Sequence, residues 1–134
     1  MKILIMAGGT GGHVFPALAV AKVLRDEGHD VVWMGAPDSF ESRVVPQHGL
    51  PIEFVRVSGL RGKGVLKLLT APVLLLRAVS EALAILRSQS PHVVLGMGGF
   101  AAGPGGVAAW VRRIPLVIHE QNAAAGMTNR LLAR

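Results

Sequence analysis

Apolar residues recur along this chain in two rhythms. In five short runs they are nearly consecutive: Lys2–Ile5, Asp30–Met34, Ile52–Val57, Val93–Met97 and Pro115–His119. A run with no polar side to show to water predicts a strand buried on both faces. Between the runs the spacing turns helical. From Pro16 to Glu27, Ala17, Val20, Ala21 and Leu24 form one stripe, Pro16 suits a first helical position and Gly28 suits a stop. Ser39 is placed to cap a short helix ending near Pro46-Gln47-His48-Gly49, and the third run puts Ile52, Phe54 and Arg56 on one face. A helical pattern from Val65 to Arg87, with a start or kink at Pro72, is stopped by Ser90-Pro91. The glycine-rich stretch 96–106 reads as a loop whose helix reaches about Arg112, and a last helix begins near Met127 and is still running at Arg134. Strands alternating with helices predict an α/β fold with a Rossmann-like, doubly wound parallel sheet.

Composition narrows the class. The 134 residues suit one domain, and 51% hydrophobic content with 16% charge and 17 glycines fits a buried sheet rather than a disordered chain. With no cysteine, disulfides and thiolate metal sites are excluded, and His13, His29, His48, His92 and His119 show no metal-ligand spacing, so no metal is expected. The apolar run after Met1-Lys2 is too short for a signal peptide, which predicts a protein that stays in the cytoplasm, and no run has transmembrane length. The chain stops inside a helical pattern, so it is expected to be a piece of a longer protein.

Charge changes the picture more. The net charge is +6, and from position 56 to 113 the basic residues Arg56, Arg61, Lys63, Lys67, Arg77, Arg87, Arg112 and Arg113 face one acid, Glu81. Such asymmetry points to an anionic partner: nucleic acid, a phosphorylated substrate or an acidic membrane surface.

The chemistry begins in Met-Ala-Gly-Gly-Thr-Gly-Gly-His-Val-Phe-Pro, residues 6–16. A strand, a glycine-rich turn and a helix in sequence aim free N–H groups and a positive dipole end at an anion. Gly8, Gly9, Gly11 and Gly12 remove side chains that would hold phosphate oxygens away, Thr10 adds a hydroxyl and His13 a proton acceptor. A dinucleotide fingerprint would need glycine at position 14, which is Val14, and an acid about twenty residues on. A Walker loop would need a lysine, and none lies between Lys2 and Lys22. A tight turn without a ligand is the bland alternative. The second glycine-rich junction, 96–106, contributes Gly98, Gly99 and Gly103. Both junctions, and Glu120-Gln-Asn122 after the fifth strand, fall on the carboxyl edge of a parallel sheet, where ligands gather. Two glycine loops on one edge suit two phosphates or one diphosphate held from both sides.

With these loops in order, the sequence resembles the N-terminal domain of the MurG family, bacterial glycosyltransferases of the two-domain GT-B type. The resemblance rests on Ala-Gly-Gly-Thr-Gly-Gly-His-Val-Phe-Pro at 7–16, Ser-Gly-Leu-Arg-Gly-Lys-Gly at 58–64, Gly-Met-Gly-Gly-Phe at 96–100, Gly-Pro-Gly-Gly at 103–106 and His-Glu-Gln-Asn at 119–122. It covers the whole chain. It implies inverting transfer of N-acetylglucosamine from UDP-N-acetylglucosamine to undecaprenyl-pyrophosphoryl-N-acetylmuramyl-pentapeptide, the step from lipid I to lipid II in peptidoglycan synthesis. Residues 1–134 would be the acceptor-binding domain, with the donor-binding C-terminal domain absent, at the cytoplasmic face of the plasma membrane. It further implies that Gly8, Gly9, Gly98, Gly99 and Gly103 line the acceptor's diphosphate, and that Thr10, Gly11, Gly12 and Asn122 touch the donor. No cofactor is implied. Phe100 departs from members that carry tyrosine, so a role for that hydroxyl does not carry over.

Within this frame His13 is the candidate general base for the acceptor's sugar hydroxyl, because inversion needs a base opposite the leaving diphosphate. A helix N-terminus disfavours the protonated imidazole, leaving it able to accept a proton. The alternative is a histidine that only donates to phosphate or to a carbonyl. Glu120 is a second acid–base candidate, or a capping or arginine-paired carboxylate. The segment Val65–Arg87 carries Leu66, Leu68, Leu69, Val73, Leu74, Leu75 and Leu76 among Lys67, Arg77 and Arg87, with Arg61 and Lys63 upstream. Apolar surface ringed by cations suits an anionic membrane surface, and a core helix with a basic outer face is the plain alternative. Trp110, Arg112 and Arg113 can join the same patch. His29, His48 and His92 are expected at the surface away from the active edge.

Three other functions compete. Alone, the chain would be a non-catalytic pyrophosphoryl-lipid-binding module without transferase activity. An oxidoreductase half is weakened by Val14 and the missing acid. Nucleic-acid binding ranks last, because the cations accompany leucines rather than aromatics.

Overall fold

A computed structural model describes residues 1–8, 11–55, 65–98 and 102–118, and within its helices and strands the side chains of all but residues 11, 13, 65–72, 98, 102 and 103. Five parallel strands, β1 (Lys2–Ala7), β2 (Asp30–Gly35), β3 (Ile52–Phe54), β4 (Val93–Gly98) and β5 (Leu116–Ile118), form one sheet in the order β3-β2-β1-β4-β5. The connections carry α1 (Gly11–Asp26), α2 (Phe40–Gln47), α3 (Val65–Gln89) and α4 (Ala102–Val111). The expected α/β fold with a doubly wound parallel sheet is what the chain forms.

Each face of the sheet has its own core. On one, Leu4, Met6, Val32, Met34 and Val94 meet Ala78, Ala82, Ile85 and Leu86 of α3 and Ala108 and Ala109 of α4. On the other, Ile3, Ile5, Ala7, Val31 and Trp33 meet Val14, Ala17, Leu18 and Ala21 of α1 and Val45 of α2. Central β1 is therefore buried on both faces, which its unbroken apolar run required.

Several element bounds differ from the sequence expectation for physical reasons. Helix α1 begins at Gly11, not at Pro16, which lies inside it. The buried stripe is Val14, Ala17, Leu18 and Ala21, and burying Val14 requires helix a full turn earlier than Pro16. At the other end Gly28 sits at φ 91, with its N–H on Arg25 O and that of His29 on Leu24 O, the paired bonds of a glycine-terminated helix. Helix α3 runs from Val65 through position 72, so its start is not Pro72. The 96–106 loop is also a correction: Gly96 and Gly98 belong to β4, and Gly103 to Gly106 lie within α4. Strand β5 begins at Leu116, one residue after the expected Pro115. The expected last helix, and the basic loop at 58–64, lie outside the described residues.

Candidate functional site

The chain winds outward from β1 in both directions. β2 and β3 follow on one side, and the long α3 crossover then returns the chain to the other side, to β4. The sheet's switch point is therefore between β1 and β4, where the ends of neighbouring strands lead their helices apart and leave a crevice. Both glycine-rich junctions open there. Ala7 at the end of β1 pairs with Gly98 at the end of β4, so the two turns leave the sheet from neighbouring residues. The register slips by one residue just before this pair, from Met6↔Gly96 to Ala7↔Gly98. Such a bulge re-aims strand ends beside a site.

Beyond the turns stand the N-termini of α1 at Gly11 and of α4 at Ala102. Gly11, Gly12 and His13 are the first three residues of α1, and Gly103 lies in the first turn of α4, so all four stand at the positive end of a helix dipole. Neither first turn contains an acid. The structure thus brings together Gly8, Gly11, Gly12 and His13 from one junction with Gly98 and Gly103 from the other. Gly9, Thr10, Gly99, Phe100, Glu120 and Asn122 lie outside the described residues, and so does the His13 ring. His29, His48 and His92 stand at the opposite edge: His29 follows α1, His48 caps the end of α2, and His92 precedes β4 and accepts a hydrogen bond from Lys2 N at 2.9 Å.

Two residues under the first junction carry no signal that sequence reasoning used. The indole N–H of buried Trp33 donates to Ala7 O at 2.9 Å, fixing the carbonyl that precedes Gly8. Glu41, only 2% exposed, accepts a hydrogen bond from Ala36 N at 3.1 Å. A Cβ built on Gly8 would lie 2.7 Å from Glu41 Cδ, and one on Gly35 2.6 Å from Cγ. Both are closer than real Cβ atoms come, so these glycines make room for the acid. A tryptophan in an otherwise aliphatic strand was the one visible hint.

On the face opposite α1, helices α3 and α4 pack together and leave large apolar side chains in water. Val73 is 67% exposed, Leu76 71% and Trp110 79%, with Leu75, Val107 and Val111 also exposed. Arg77 is 3.6 Å from Glu81 one turn on, while Arg87, Arg112 and Arg113 are exposed. Among the described residues no helix is long and apolar enough to cross a membrane.

A parallel sheet with two glycine junctions meeting at its switch point defines a doubly wound α/β domain whose carboxyl edge is the place for a ligand. Residues 3–134 match the glycosyltransferase family 28 N-terminal domain, and the chain belongs to that family. It is 63% identical over 134 residues to the UDP-N-acetylglucosamine–N-acetylmuramyl-(pentapeptide) pyrophosphoryl-undecaprenol N-acetylglucosamine transferase of Alkalilimnicola ehrlichii, covering 100% of this chain and 38% of that protein. The transferase of the same name from Photorhabdus laumondii is 57% identical over 133 residues, covering 99% of this chain and 38% of the relative. The crystal structure of Acinetobacter baumannii MurG superposes with a TM-score of 0.86 at 41% identity, over 99% of this chain and 38% of that one. The resemblance read from the five motifs is thus borne out, and the fold is that of one part of a GT-B glycosyltransferase. The chain spans little more than a third of the length of these relatives.

Proposed function

We propose that this chain supplies the N-terminal, acceptor-side half of an inverting N-acetylglucosaminyltransferase, which moves the sugar from UDP-N-acetylglucosamine to a lipid-linked N-acetylmuramyl-pentapeptide. The observation that carries this reading is the pairing of Ala7 with Gly98, which sets two glycine junctions side by side in a family 28 domain. Gly8, Gly9, Gly98, Gly99 and Gly103 then line the acceptor's diphosphate, held by backbone N–H groups and the dipoles of α1 and α4. His13, in the first turn of α1, takes the proton of the attacking sugar hydroxyl. The hydroxyl oxygen bonds to the donor's anomeric carbon from the face opposite the diphosphate, and UDP leaves with the electron pair of the broken C–O bond. Thr10, Gly11, Gly12 and Asn122 meet the donor from this side, Glu120 is a further acid–base or binding contact, and a second domain holds the rest of the UDP-sugar.

The exposed Val73, Leu76 and Trp110 beside Arg87, Arg112 and Arg113 favour a surface that rests on anionic lipid. On this reading the domain is a peripheral protein on the membrane leaflet that presents the acceptor. Alone, the chain would act only as a binding module for pyrophosphoryl lipids.

The test is a chimera in which residues 1–134 replace the corresponding segment of the Alkalilimnicola ehrlichii relative. Radiolabelled sugar transfer to a short-chain acceptor analogue is expected from the chimera and absent from residues 1–134 alone. Flotation with vesicles of anionic phospholipid is expected from both. A folded but inactive chimera would sink the acceptor-half reading, and loss of flotation from both proteins the membrane reading.

A further inference from the structure

Glu41 is a charged side chain where charge is costly. A buried carboxylate persists only where donors and dipoles compensate it. Here the compensation is local. Glu41 is the second residue of α2, after the N-cap Ser39, so its charge sits at the positive end of its own helix. Its Oε2 takes the N–H of Ala36, the first residue beyond β2. From there the side chain reaches across two strand ends: Gly35 closes β2 and Gly8 follows β1, and neither has space for a Cβ while Glu41 is present. Trp33 holds Ala7 O from the same side of the sheet. The first three residues of the glycine-rich turn's helix, Gly11 to His13, follow within five positions of Gly8.

We propose that Glu41 is a positioning residue for the transfer reaction: wedged between Gly8, which follows β1, and Gly35, which closes β2, its carboxylate sets the direction in which the chain leaves β1 toward Gly11 and His13. It acts through the turn and touches no substrate. The proposal rests on the acceptor-half reading above. Its physical content is that Gly8 is needed to seat the carboxylate as well as to admit a phosphate. Glutamine at position 41 keeps the volume and an oxygen for the Ala36 N–H, but replaces the other oxygen, 3.1 Å from a Cβ built on Gly8, with an amide donor.

The test uses the chimera described above, with Glu41→Gln. The expected result is a melting temperature within about 3 °C of the parent and a kcat per folded molecule lower by roughly 10²-fold, the size of loss a misplaced catalytic group produces. Acceptor KM should move far less, and amide exchange over residues 8–12 should quicken. An unchanged kcat per folded molecule would overturn the proposal, since the carboxylate would then be only a filler. Should Glu41→Gln fail to fold, Gly8→Ala and the pair Gly8→Ala with Glu41→Ala decide. The pair should recover the folding that Gly8→Ala loses but not the turnover. A pair that stays unfolded, or that recovers both, overturns the proposal. If the parent chimera itself transfers no sugar, the acceptor-half reading has failed instead. Amide exchange over residues 8–12 then judges Glu41 alone: faster exchange in Glu41→Gln upholds its hold on the turn, and unchanged exchange overturns it.

Discussion

Beneath the turn that follows β1 the protein packs polar groups, the Trp33 indole on Ala7 O and the Glu41 carboxylate between Gly8 and Gly35. Beneath the helix that follows β4 it packs thioethers. A Cβ on Gly105 of α4 would overlap Met6 Sδ and Met34 Cε, and one on Gly96 of β4 would come into ordinary contact with Met6 Cε at 3.5 Å. The first junction is thus held by hydrogen bonds that fix direction, the second by close approach of a helix to the sheet. Both sit at one switch point, yet their glycines serve different neighbours. A glycine-rich strand-to-helix junction therefore does not by itself report a phosphate, because each position must first be asked what lies under it.

The largest way to break this comparison is at the second junction. Gly105→Val puts two methyl groups where Met6 and Met34 pack, and overpacking of this kind costs about 1–3 kcal/mol. The upper end is expected, since Met6 is buried on every side, although removing a helical glycine returns up to about 1 kcal/mol. Urea unfolding of the chimera would show it. If the midpoint does not fall, the methionines repack freely and Gly105 is not held by the close approach of α4.

How far each junction could be read in advance follows from the range of its contacts. The strands were legible because burial on both faces forces consecutive apolar residues, as in Ile3 to Ala7. So was the cap of α2, a local bond from Ser42 N to Ser39 Oγ. The start of α1 was not legible, because Pro16 resembles a first helical residue and glycines resemble a loop. Burial of Val14 against the sheet decided otherwise, and that is a tertiary fact. The same holds at α4, where Pro104 needs no N–H partner in a first turn and Gly105 answers to Met6 and Met34, methionines far away in the chain on two different strands. Glu41 was the least legible, because a glutamate early in a short helix reads as a solvent-facing dipole partner. Only the fold brings it under Gly8.

A smaller effect sharpens the first junction. Trp33→Phe keeps an aromatic ring in the core but removes the N–H that Ala7 O receives. Leaving a buried acceptor short of its donor costs about 1–3 kcal/mol, and about 2 is expected here. Hydrogen exchange in the chimera should localise the loss to the end of β1. A loss spread evenly over β2 and α1 instead would mean that the indole matters for volume and not for holding the turn.

The smallest effect separates the Glu41 wedge from the helix that presents it. Ser39 Oγ accepts the Ser42 N–H at 3.2 Å, and Ser42 Oγ returns the favour to Ser39 N at 2.9 Å. Ser39→Ala removes the first bond, together with the one the Ser39 hydroxyl donates to Ala36 O, and keeps the second, because the second uses only the Ser39 backbone. Loss of an N-cap side chain costs about 1 kcal/mol, and the chimera's urea midpoint should fall by that much. The carboxylate takes the N–H of Ala36 and the Ser39 hydroxyl its carbonyl, which belongs to the next peptide group, so the carboxylate's own bond survives the substitution. Sugar transfer per folded molecule should therefore stay at the parent rate. A fall in kcat matching that of Glu41→Gln would show that the cap, and not the carboxylate, aims the first turn, and the contrast between a hydrogen-bonded junction and a packed one would then have to be drawn at α2 instead of under Gly8.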